Sequence, residues 1–146
     1  MSGAVNDAPG LRRGGMTIRW LRVVLGALLL EIVLFAVLVP ISFLNATLFL
    51  IAVPIGVFAF GYLVTRWLLK RLATRLVLHG ALIGIVATAM YLGLVLAQPG
   101  GIAAAVAVYG APLFSFSQAM RIAGCVAGAV HEQRQRPSAA VDAPNG

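Results

Sequence analysis

Cysteine occurs once in the chain, at Cys125, and histidine only twice, at His79 and His131. A single thiol excludes an internal disulfide, and so few Cys and His residues build neither a metal-ligand cluster nor a thiol-redox motif. Acidic residues are scarce as well: four Asp and Glu stand against eleven Lys and Arg, and charged residues make up only 10% of the 146 positions. No phosphate loop, nucleophile triad or paired-carboxylate motif can be found, so no enzymatic activity and no cofactor are expected. What fills the chain instead is apolar, with 61% hydrophobic residues and a mean hydropathy of +0.98. Soluble domains are closer to half apolar and a quarter charged, so this chain calls for lipid rather than water as its solvent.

The net charge of +7 would point to nucleic acid in a soluble protein. Here the basic residues sit in short flanks around apolar blocks, where membrane topology accounts for them, and no nucleic-acid partner is expected. Arg12, Arg13, Arg19 and Arg22 precede a greasy run, as the basic start of a secretory signal does. The run continues from Val23 to Val39, lacks a small-residue cleavage site and is followed by more apolar segments. It reads as an uncleaved first span.

Residues 1–15 are small, polar and rich in Gly, and 137–146 are of similar character. The expected organisation is a disordered cytoplasmic tail over 1–15, a transmembrane domain over 16–131 and a second disordered cytoplasmic tail over 132–146. Charge is absent from Ile32 to Thr65 and again from Leu76 to Met120. About 20 apolar residues cross the hydrocarbon, so each block is too long for one span and must contain a turn. The breakers Pro40 to Asn45 and Gln98-Pro99-Gly100-Gly101 place those turns, giving helices near 18–39, 44–65, 76–97 and 102–130. Lipid offers no partner for exposed backbone groups, and the runs lack the alternation of a barrel strand, so the spans are helical.

Four basic residues precede the first helix, four lie between the second and third (Arg66, Lys70, Arg71, Arg75), and Arg134 and Arg136 follow the fourth. The other two connections carry none. The positive-inside rule then predicts an all-α four-transmembrane-helix bundle, threaded up-down-up-down with both termini cytoplasmic, in a bacterial inner membrane. Asn45-Ala46-Thr47 fits a glycosylation triplet on the outer side, a pattern that arises often by chance. An offset of 58 aligns Gly26 with Gly84, Pro54 with Pro112 and Phe58 with Phe116, a pattern that a degenerate duplication would leave and that apolar segments also produce by chance.

Glu31 stands out inside the first helix, eleven positions after Trp20 and therefore about 16 Å beyond the inner interface if Trp20 marks it. A carboxylate at that depth must be neutralised, paired or wetted, which makes it a functional candidate by default. Arg121, ten positions before His131, lies about 15 Å from the same interface and is the natural partner; the alternative places it at the inner surface with its stem snorkelling. Ser117 and Gln118 share its helix face, so Glu31, Gln118 and Arg121 form the candidate intramembrane polar site, with the serines bonding their own backbone. Gly80 and Gly84, and Gly124 and Gly128, form two GxxxG pairs suited to close helix packing, within the bundle or between copies. Pro54 and Pro112 are expected to kink the second and fourth helices. A bis-histidine haem between His79 and His131 would sit at the membrane edge and is disfavoured.

The function expected from these features is a non-enzymatic accessory, regulatory or assembly component of the membrane. Its partners would be the bilayer and either a second copy of itself or another membrane protein. The alternative is a small proton- or cation-coupled transporter or channel using Glu31. The stretch Leu28-Leu29-Leu30-Glu31-Ile32-Val33 resembles the first helix of small four-helix multidrug exporters, which carry one essential membrane glutamate; that resemblance covers one helix and implies proton exchange at Glu31. An anchor for a haem or quinone enzyme and a pore-forming lysis protein are further, weaker readings.

Overall fold

The computed structural model describes residues 19–70, 72 and 75–136. Among these the chain is all-helical, without a strand: α1 (Trp20–Leu44), α2 (Ala46–Leu69), α3 (Leu76–Leu96), α4 (Gly101–Tyr109) and α5 (Ala111–Arg134). The four long helices, α1, α2, α3 and α5, are long and apolar enough to cross a membrane, whereas α4 has only nine residues. The tail expected over 1–15 lies outside the described residues, as does everything after 136.

The helix ends depart from the sequence expectation where proline and glycine were weighed. Pro40 was expected to begin the first turn, yet α1 runs through it to Leu44. Proline removes one backbone donor, but in an apolar medium leaving the helix would orphan several more, so continuation is the cheaper outcome. Asn45 makes the turn alone: its backbone is extended and its side chain accepts from the Leu48 amide at 3.0 Å, an N-cap for α2. This capping role gives Asn45 a structural reason to stand there.

The single fourth helix expected over 102–130 is two. Gly110 has φ 73° and ψ 145°, a region open to glycine and strained for other residues, and it separates α4 from α5. Pro112 consequently falls in the first turn of α5, where a missing donor costs nothing, rather than kinking a helix. Pro54 remains inside α2. The 58-residue offset thus pairs a mid-helix proline with a helix-starting one, so these two positions are not structural equivalents. At its far end α5 continues through Glu132 to Arg134, past the boundary expected at 131.

Helix α1 packs on α2 and α3, α5 packs on the same two helices, and α4 rests on α3 and α5. Around the bundle the order is therefore α1, α2, α5, α3, which puts α1 and α5 on a diagonal. Small residues set the closest approaches. A Cβ on Gly124 or Gly128 would collide with the backbone carbonyl of Phe58 or Tyr62, so α5 lies directly on the α2 backbone. A Cβ on Gly80 would come within 2.8 Å of the Cys125 carbonyl, and one on Gly84 within 2.9 Å of the Ile122 Cα. Both GxxxG pairs thus serve contacts inside the monomer, where backbones touch and dispersion replaces the hydrophobic effect.

Candidate functional site

The packed face of α5 is a continuous stripe of buried residues, Ser117, Arg121, Gly124, Gly128 and Glu132, at helical spacings of three and four. Arg121 extends from this stripe across the bundle diagonal to α1, where its Nη1 donates to Glu31 Oε1 in a buried ion pair. Arg121 is 3% exposed and Glu31 4%. The same Nη1 donates to the Ala87 carbonyl of α3 at 3.1 Å, and the guanidinium stacks 4.5 Å over the Tyr91 ring. One side chain thereby ties α1, α3 and α5 together. A carboxylate that lipid cannot solvate is neutralised, and the cation gains an aromatic face.

The surface alternative for Arg121 came from measuring the fourth helix from residue 102. With α5 beginning at Ala111 that count is wrong, and the arginine falls in the middle of its helix. A cluster was expected only if these two helices adjoin; α1 and α5 lie on the diagonal instead, and the reach of the arginine side chain makes the connection.

Gln118 lines the same space, and its Oε1 is buried without a hydrogen-bond partner, so it accepts nothing from Arg121. Ser117 donates to the Leu113 carbonyl of its own helix at 2.8 Å. Next to the pair lies a cavity of about 120 Å³, walled by Phe35, Phe49, Tyr91, Tyr109 and Phe114 among others. It extends along α1 from Glu31 to the exposed Val39 and Ser42. Eleven residues of helix correspond to about 16 Å, so the cavity runs through one half of the bundle. Tyr109, at the end of α4, stands at its rim between Phe49 at 5.7 Å and Phe114 at 6.4 Å.

No sequence pattern joins these rings, because each comes from a different helix, α1 to α5 in turn. A signal did exist on α3. Gly80 and Gly84 continue at helical spacing to Ala87 and Tyr91, so the face that packs on α5 is also the face that receives Arg121.

A second charged group lies at the opposite end. Glu132 approaches Arg66 at 4.0 Å and Arg136 at 3.7 Å, and Arg66 Nη2 donates to Gln135 Oε1 at 3.2 Å. Arg136 also donates to the carbonyls of Leu69, at 2.9 Å, and of Leu72, capping the end of α2. Arg66 and Arg136, expected only as orientation charges, thus also hold helix ends together. The histidines are engaged separately: His79 Nδ1 lies 2.9 Å from the Arg75 carbonyl, whereas His131 meets Tyr62 edge-on and Gln135 at 2.8 Å. Among the described residues no group of Cys, His, Asp and Glu could hold a metal ion.

Fold and site together define a class: a small multi-pass helical membrane protein with a charge pair across its core and a cavity leading to it. Comparison with protein-family models, curated proteins and solved structures finds no match to this chain.

Proposed function

We propose that the chain is a non-enzymatic accessory, regulatory or assembly component of a bacterial inner membrane, threaded up-down-up-down with both termini in the cytoplasm. In this reading the Glu31–Arg121 pair is the latch that fixes the bundle. The observation that carries it is the pairing itself, since the one acid in the middle of the four long helices already has its cation. Mid-membrane depth is supported by α5, in which Arg121 lies about 15 Å from one end and about 20 Å from the other. Threading is supported by the contacts that gather the ends: Arg19 with His79, and Arg66 with Gln135. A buried pair is costly to half-remove. Arg121→Leu should destabilise the protein by about 3–5 kcal/mol, because it leaves a carboxylate alone in an apolar core.

The test is a charge-swap cycle in detergent, comparing thermal survival of Glu31→Arg, Arg121→Glu and the double exchange. Partial recovery in the double exchange is expected; independent, additive losses would sink the latch. Proton-coupled transport is the second reading, favoured by the cavity that reaches Glu31. Loss of pH-dependent flux in proteoliposomes on Glu31→Gln, with folding intact, would replace the first reading with it.

A further inference from the structure

We propose that the cavity is a binding site for a small monocarboxylate, held by the unused edge of Arg121 and accompanied into the bundle by a proton that Glu31 accepts. The inference rests on the pairing described above and assigns it a ligand. Arg121 contacts Glu31 and Ala87 through Nη1 alone. Its Nε is buried with no partner, and neither of those two bonds uses Nη2. The Nε–Nη2 edge of a guanidinium is a planar two-donor fork matched to a carboxylate, and such an unsatisfied donor in a core is expensive. The cavity reaches this side chain and is walled mostly by aromatic and aliphatic groups, which suit an aryl or branched alkyl body, with Glu31, Gln118 and Ser42 as further polar lining. At about 120 Å³ it has room for several waters and so for a small acid. A cationic ligand fits poorly, because Arg121 already occupies both Glu31 and the Tyr91 face.

Charge counting supplies the proton. One guanidinium balances one carboxylate, so a second carboxylate in a low-dielectric core leaves an uncompensated negative charge. Uptake of one proton from the bulk by the Glu31 carboxylate restores neutrality without breaking or forming any other bond. The other ionisable groups beside the pair are the phenols of Tyr91 on α3 and Tyr109 on α4, and the thiol of Cys125 on α5. Helix α2 contributes Phe49, Val53 and Val57 to the wall and no charge.

The experiment is titration calorimetry of the full chain in nanodiscs with benzoate, repeated at one pH in two buffers of different ionisation enthalpy. Saturable binding with uptake of one proton per benzoate is expected. Glu31→Gln should bind at least as tightly with no proton uptake, and Arg121→Gln should lose about tenfold or more in affinity. Val53→Trp fills the cavity and leaves the pair in place, so it reports on the site even if Arg121→Gln does not fold; it too should abolish binding. Absence of binding to the folded wild type, binding without proton uptake, or undiminished binding in Val53→Trp would overturn the proposal. The charge-swap cycle reads the latch by stability alone: a real latch that binds no benzoate sinks only the ligand, and benzoate binding without pair coupling sinks only the latch.

Discussion

At the scale of single residues, the smallest side chains carry the sharpest expectations. A methyl at Gly124 or Gly128 has nowhere to go, because the atoms it meets belong to the α2 backbone at Phe58 and Tyr62 and cannot swing aside. Gly124→Ala and Gly128→Ala should each destabilise the protein by about 1–3 kcal/mol, the cost of overpacking a close contact. Gly93 provides the control, since nothing lies within 4 Å of its added Cβ, and Gly93→Ala should leave thermal survival in detergent unchanged. Equal behaviour of all three variants would mean that α2 and α5 are not in backbone contact. The glycine pairs were legible from spacing, as were Glu31 and Arg121 from rarity and depth. Tyr91, Tyr109 and Phe114 were not: they come from different helices, and nothing in a one-dimensional pattern says which distant rings will share a wall.

At the scale of elements, composition settled the helical state and charge gaps located the spans, because both follow from lipid as solvent. Helix ends were less legible, since they depend on which of several breakers acts. Pro40, the most conspicuous, is absorbed into α1, whereas Gly110, an ordinary glycine in an apolar run, breaks the chain. The difference is local: proline forfeits one hydrogen bond inside a helix, but the φ and ψ of Gly110 require a residue without Cβ. Gly110→Ala should therefore cost about 1–3 kcal/mol. Pro112→Ala should stay within about 0.5 kcal/mol, because a first-turn proline leaves no bond unmade. Paired thermal unfolding of the two variants checks the assignment. No loss, or a gain, in Gly110→Ala would restore the single fourth helix, because a glycine inside a continuous helix is improved by alanine.

At the scale of the whole molecule, the basic residues and the apolar spans argue jointly for one orientation, and the chain is well suited to a direct test. Its one cysteine, Cys125, is 0% exposed, so an impermeant maleimide should find little native thiol to label. Single cysteines can then be placed at exposed positions at either end of the bundle: Ser42 and Gln98 on the uncharged side, Lys70 and Gln133 on the basic side. The Lys and Arg bias predicts that intact cells label Ser42→Cys and Gln98→Cys, while Lys70→Cys and Gln133→Cys react only after the membrane is opened. This result also fixes where the cavity opens, because Ser42 forms its rim. An outward mouth would let the proposed small acid enter from outside the cell and meet Arg121 halfway through the bundle. Labelling of Lys70→Cys in intact cells would invert the protein, and the cavity would then face the cytoplasm and sample its metabolites instead.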